Sequence, residues 1–173
     1  DIIFHSFMLK IIDKIHSLLV FSHRTSVLSS LIANMLPPDS DILDIGCGDG
    51  TIDKKILSQR PDVKITGLDV LKRKKALISV IIFNGKTIPY GNNSYDAVLL
   101  IDTLHHTTNP DALLKEAVRV SKKYIIIKDH YLQNRISLYI LRFMDFIGND
   151  AHNVNLPYHY YTYDKWEKIF KEL

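Results

Sequence analysis

The sequence predicts an α/β fold in which a mostly parallel sheet lies between layers of helix, and three observations carry that prediction. Short apolar runs bounded by turn residues, such as Ile42 to Ile45 and Ala97 to Ile101, read as strands buried on both faces. Segments with apolar residues three and four apart alternate with these runs, as a series of strand-helix-strand units requires. The first strand runs into Gly46-Cys47-Gly48-Asp49-Gly50, where glycine recurs at every second position. In an open parallel sheet such a turn lies at the carboxyl edge, where ligands bind.

With 173 residues, 46% hydrophobic and 24% charged, the chain suits one domain with a real core. We divide it into N-terminal helices over 1–36, a ligand-binding core over 41–130, and C-terminal helices with an aromatic loop over 131–173. The net charge of +3 is spread along the chain, so no electrostatic footprint for nucleic acid stands out. Cys47 is the single cysteine, which gives no disulfide framework and no thiolate metal cluster. No apolar run reaches the roughly 18 residues of a membrane span, and a cytoplasmic protein is expected. The first residue is Asp1, which reads as a fragment edge.

From Ile2 to Val20 the residues Phe4, Phe7, Met8, Ile11, Ile12, Ile15, Leu18 and Leu19 mark an amphipathic helix. It reads as packed on the domain, with a lid over the site and a lipid-contacting face as functional alternatives. A second helix, Thr25 to Leu36, ends at Pro37-Pro38 and feeds the first strand. After the glycines, Ile52, Ile56 and Leu57 hold a helical spacing until Arg60-Pro61, so the N–H groups at that helix start face whatever lies over the turn. Val63 to Leu68 is the second strand and ends in Asp69, 25 positions after Asp44. The third strand is expected over Leu77 to Phe83, with too little chain before it for a full helix. Tyr95 to Ile101 is a fourth, buried strand. Asn109-Pro110 then starts a helix as N-cap and first helical residue, with Leu113, Leu114, Ala117 and Val118 inward. Tyr124 to Lys128 is the fifth strand and runs into Asp129-His130-Tyr131. A helix from Leu132 to Ile147, the aromatic stretch Leu156 to Tyr163, and a helix beginning at an Asp164–Glu167 capping box complete the chain.

Glycine turns of this kind serve two cofactor classes. The dinucleotide pattern G-x-G-x-x-G needs glycine at position 51, which is Thr51, and this speaks against an NAD-dependent oxidoreductase. The observed D-x-G-x-G-x-G, Asp44 to Gly50, resembles motif I of the class I S-adenosylmethionine-dependent methyltransferases. Ile88-Pro89-Tyr90, the Asp96-bearing strand and Leu104-His105-His106 are similar to the second signature of the small-molecule branch of that family. The resemblance covers about Arg24 to Val120 and implies a Rossmann-like three-layer sandwich with S-adenosyl-L-methionine as cofactor. It assigns the methionine end to the turn, with Asp44, Gly46, Cys47, Gly48 and Gly50. It gives the ribose to Asp69, an adenine face to Val70 and the amino group to the backbone near Ile101. Asn84 falls near where relatives place an acid beside adenine. Relatives also carry two final antiparallel strands for which no sequence remains, so the chain reads as truncated or reduced, with a sheet edge that a second copy or a partner could cover.

The activity this implies is in-line methyl transfer to a small-molecule or lipid-like acceptor, with a catalytically inactive cofactor-binding or regulatory partner protein as the alternative. Positioning then supplies most of the rate. An Asp/Asn-Pro-Pro-aromatic box, frequent in enzymes that methylate nitrogens of DNA or protein, is replaced by Ile101-Asp102-Thr103-Leu104. The candidates for a base at the sheet edge are His105, His106, Asp129 and His130, histidine having an ordinary pKa near 6.5. No metal is called for.

Overall fold

A computed structural model describes residues 21–71, 73–149, 157 and 159–172. The amphipathic segment Ile2 to Val20 lies outside the described residues, as do Leu156 and Tyr158 of the aromatic stretch. Five parallel strands form the main sheet: β1 (Asp41–Ile45), β2 (Lys64–Asp69), β3 (Val80–Ile82), β4 (Tyr95–Ile101) and β5 (Ser121–Lys128). Their order is β3-β2-β1-β4-β5, so the chain winds outward from β1 in one direction and then returns to begin the other half at β4. The carboxyl ends of β1 and β4 therefore flank the crevice where such sheets bind ligands.

Strand side chains alternate between faces, and β4 divides its own between two cores. Ala97 and Leu99 join Ile42, Ile56, Ile32, Ala33 and Leu36, which brings in α1 (21–35) and α2 (Thr51–Gln59). Val98 and Leu100 join Leu43, Ile45, Leu113, Leu114, Ala117, Val120 and Ile169, which brings in α3 (Pro110–Val120) and α5 (Tyr163–Glu172) on the opposite face. The result is the three-layer α/β sandwich expected from the sequence, now with its strand order.

Several boundaries differ from the sequence reading, each for a local reason. β3 is short because Leu77, Ile81 and Ile82 are exposed at the sheet edge. β5 starts earlier, at Ser121, whose hydroxyl donates to the Tyr124 carbonyl. Leu132 lies in a two-residue strand, β6 (Tyr131–Leu132), that pairs in parallel with β7 (Tyr161–Thr162), and the next helix, α4, spans Arg135–Asn149. The periodic residues Ile136, Tyr139, Ile140 and Phe143 of α4 are exposed. The Asp164–Glu167 capping box is corrected: α5 begins one residue earlier, and the Thr162 hydroxyl accepts the Lys165 N–H at 3.3 Å. Asn109 caps α3 as read, accepting from Ala112 at 3.1 Å.

The junction of β1 with the glycine turn fixes the sheet edge. Gly46 has φ +79, and a Cβ there would lie 2.5 Å from the Thr103 hydroxyl oxygen. That hydroxyl donates to the Ile45 carbonyl at 2.9 Å, so the end of β4 is fastened to the end of β1 through the space a side chain would need. A Gly46→Ala substitution combines a left-handed backbone penalty of about 1–2 kcal/mol with overpacking of about 1–3 kcal/mol. The expected outcome is a loss of about 2–4 kcal/mol in urea unfolding of the purified chain, whereas a loss below about 0.5 kcal/mol would show that Thr103 yields without consequence.

Candidate functional site

Two clusters meet at the carboxyl edge of the sheet. The first is the turn after β1. Its backbone is tied to β2 by the Gly46 N–H, which donates to the Leu68 carbonyl at 2.7 Å, and closed by Gly50 N–H to Cys47 carbonyl at 3.0 Å. Gly48, with φ +62, is the glycine whose added Cβ would meet nothing within 4 Å. It opens outward, while Gly46 and Gly50 are required by neighbouring side chains, Thr103 and Ile78. Asp69, the last residue of β2, reaches across to this turn. Its Oδ2 accepts the Gly48 N–H at 2.8 Å and its Oδ1 accepts the Leu71 N–H at 2.9 Å. Val70 follows it, half exposed, and Ile101 ends β4, buried.

The charge balance of this cluster is acidic. Asp44 and Asp53 are buried under the turn, and burial raises the pKa of both. The Cys47 thiol is pushed far above its usual range by burial and by Asp44, Asp53 and Asp69, so it stays protonated and is no nucleophile. Of the residues expected to bind a cofactor, Asp44, Gly46, Cys47, Gly48, Gly50 and Asp69 converge on the turn, with Val70 just after β2 and Ile101 at the end of β4.

The second cluster stands over β4 and β5. After Thr103 the chain makes one 3-10 turn, Leu104–His106, and β5 delivers Asp129 and His130 beside it. Asp129 is the hub. It accepts the Leu104 N–H at 2.9 Å, the His105 N–H at 3.3 Å and the His130 N–H at 2.7 Å, and its Oδ1 pairs with Nδ1 of His105. Both side chains of that pair are only 2% exposed. The oxygens of Asp129 are engaged in these bonds, and it positions the loops that carry the histidines. The rings gather closely, His105 to His106 at 3.9 Å and His105 to His130 at 5.0 Å between centroids, with Tyr160 stacked at 5.7 Å from His105. His159 fastens the later chain to this turn through its N–H to the His105 carbonyl at 3.2 Å. His130 is held below its ordinary pKa by burial and by Lys128, which leaves its ring neutral near pH 7.

Sequence reasoning missed four participants. Asp102, directly after β4, has φ +53 and pairs with Arg24 of α1 and Lys128 of β5, with Nε2 of His130 at 3.6 Å. A left-handed aspartate ending a buried strand is the kind of tolerated strain that marks a site, but φ cannot be read from composition. Tyr160 belongs to an aromatic run whose contacts only the fold supplies. Asp53 reads in sequence as an ordinary acid in a helix first turn, and Thr103 as an ordinary loop residue.

A family model described as methionine biosynthesis protein MetW matches residues 28–166. The chain is 27% identical over 111 residues to the 27-O-demethylrifamycin SV methyltransferase of Amycolatopsis mediterranei, covering 56% of this chain and 40% of that protein. It is 28% identical over 112 residues to the sarcosine/dimethylglycine N-methyltransferase of Halorhodospira halochloris, covering 57% and 40%. It thus spans about two fifths of the length of these curated relatives. Among solved structures, a SAM-dependent methyltransferase of Thermotoga maritima, described as a possible histamine N-methyltransferase, superposes with a TM-score of 0.61 at 21% identity, covering 92% of this chain and 75% of that one. The fold is the Rossmann-like fold of the SAM-dependent methyltransferases, and the cofactor it implies is S-adenosylmethionine. The residues present fit that group: the face over Gly48 is open, and Oδ1 of Asp44 is buried without a hydrogen-bond partner beside the turn. Among the described residues no helix is long and apolar enough to cross a membrane, and no group of His, Cys, Asp and Glu could hold a metal ion.

Removing the Asp129 carboxylate strands His105 and three backbone N–H groups at once. The expected cost of Asp129→Ala is about 3–5 kcal/mol in chemical unfolding. A cost under about 1 kcal/mol would mean that the histidine cluster is organised by something else.

Proposed function

Because the chain belongs to the family of methionine biosynthesis protein MetW, we propose that it binds S-adenosylmethionine on its glycine turn and catalyses methyl transfer to a small-molecule acceptor. The observation that carries this reading is the open backbone at Gly48, bridged by the terminal carboxylate of β2, on the same sheet edge as the histidine cluster that follows β4 and β5. Gly46 to Gly50 and the start of α2 hold the amino-acid end, with Asp44 and Cys47 beneath, Asp69 takes the ribose, Val70 lies against the adenine, and Ile101 offers its backbone to the amino group. Bound there, the cofactor supplies a methyl group on a sulfonium, whose leaving thioether needs no acid.

The chain's own part is chiefly to hold the acceptor in line and keep water out. His130, neutral and partly exposed, can take a proton from an acceptor hydroxyl or ammonium at a ring nitrogen. His105, its Nδ1 committed to Asp129, is fixed in orientation, and His106 and Tyr160 line the same face. The curated relatives are named for a rifamycin and for sarcosine and dimethylglycine, and an acceptor of that small-molecule kind is the one we assign to this face. The alternative, a regulatory protein that binds the cofactor without turnover, shares the turn and differs only in the use of the histidines. Release of S-adenosylhomocysteine across a panel of amine, hydroxyl and carboxylate acceptors separates the two.

Binding itself is measured by calorimetry. S-adenosylmethionine is expected to bind and NAD is not. Asp69→Ala should weaken S-adenosylhomocysteine binding by about 1.5–3 kcal/mol, the range for hydrogen bonds to a charged group, and Gly48→Val should abolish it. Undiminished affinity in both variants would remove the turn from the site.

A further inference from the structure

Two buried carboxyl groups meet beneath the glycine turn. Asp44 is the penultimate residue of β1 and Asp53 lies in the first turn of α2, so the segment that joins them, residues 45–52, closes over the pair. Asp53 is 0% exposed and Asp44 4%. Among the described residues, neither oxygen of Asp53 nor Oδ1 of Asp44 has a hydrogen-bond partner. Two ionised carboxylates in this setting would combine desolvation with mutual repulsion, offset in part by the backbone N–H of Asp53. With one proton between them, the contact becomes a hydrogen bond.

The surroundings favour that single proton. Burial, then the charge of Asp53, holds Asp44 well above the usual carboxylate range, while burial pushes Asp53 up to about 6. The start of α2 favours charge on Asp53 over Asp44. The neighbouring charges bearing on the pair are acidic, Asp69 from β2 and Asp49 from the turn, and the Cys47 thiol is neutral. From α1 on the same face, Arg24 is turned to Asp102, while Thr25 and Ser29 donate to carbonyls of their own helix. The facing residues of β4, Ala97 and Leu99, are apolar. Among the described residues, the charges that bear on the pair include no cation.

We propose that Asp44 and Asp53 share one proton in the cofactor-free chain and release it when the ammonium of the cofactor's amino-acid end reaches the turn, which makes Asp53 a specificity residue for a cationic ligand. The proposal rests on the reading of the turn as the S-adenosylmethionine site. In the exchange a carboxyl O–H bond breaks, its proton passes to solvent, and the ammonium keeps its own protons. The pair goes from one negative charge to two as the positive charge arrives. Affinity therefore rises with pH for as long as the free pair keeps its proton, by up to tenfold per unit, while an α-amino group of ordinary pKa stays charged. The free chain behaves in the opposite sense. The folded pKa of Asp53 lies above its unfolded value, so stability is present at low pH and is lost as pH rises through about 6.

The test uses S-adenosylhomocysteine as a non-reacting probe on the intact chain. Infrared difference spectra at pH 7 should show a protonated-carboxyl band that disappears on binding, and calorimetry in buffers of different ionisation enthalpy should find about one proton released. Asp53→Asn, which keeps the size and offers Asp44 an amide donor, should lose both signals, bind at least tenfold more weakly and flatten the stability slope. If this variant does not fold, the wild-type infrared band and its loss decide alone. Binding without a band change and without proton release overturns the proposal and leaves the cofactor reading intact. Absence of any binding overturns the cofactor reading itself and the proposal with it.

Discussion

The carboxyl end of β1 passes Thr103 so closely that only glycine fits between them, and the rest of the site depends on that passage. The Thr103 hydroxyl holds the Ile45 carbonyl, which fixes where β1 stops and where the chain after β4 departs. One consequence is a turn whose next glycine, Gly48, opens outward, so that an added Cβ would meet none of the described residues within 4 Å. Another is that the residues following Thr103 wind into the short turn that presents His105 and His106. The glycine turn and the histidine turn are thus built from the same crossing.

A second constraint is the gathering of acidic groups at this edge. Asp69, Asp44 and Asp53 lie under or beside the turn, and backbone N–H groups bind both oxygens of Asp69. On the far side Arg24 and Lys128 pair with Asp102, with the neutral ring of His130 beside it. A zwitterionic amino-acid group laid across the edge would find a carboxylate pair on one side and cationic side chains on the other. Asp129 separates the two regions by absorbing the N–H groups of Leu104, His105 and His130, so the histidine rings are held by backbone geometry rather than by exposed side chains.

Much of the fold was legible because buried parallel strands and amphipathic helices leave different apolar periods. Ile42 to Ile45, Tyr95 to Ile101 and the Asn109-Pro110 start of α3 were read within a residue or two of their observed bounds. The exchange of Leu132 from helix to β6, and of the α5 cap from Asp164 to Thr162, was not legible, since two-residue strands and single caps depend on a partner brought from elsewhere. Asp44, the glycines and Asp69 were placed at the carboxyl edge by their spacing. Asp53, Asp102 and Tyr160 were not: each is ordinary in sequence and acquires its meaning from burial, from a left-handed φ or from ring stacking. Asp129 was legible as a carboxylate at a strand end, while the backbone N–H groups it gathers depend on the fold.

The central claim is that the open backbone at Gly48 and the carboxylate of Asp69 form one cofactor site. A crystal structure of the chain with S-adenosylhomocysteine tests it most directly. The account predicts ligand density over Gly48, with the ribose hydroxyls on Asp69 and the sulfur facing the His105, His106 and His130 cluster. Density seated elsewhere on the molecule, with the turn bare and Asp69 still bridging Gly48 and Leu71, would contradict it.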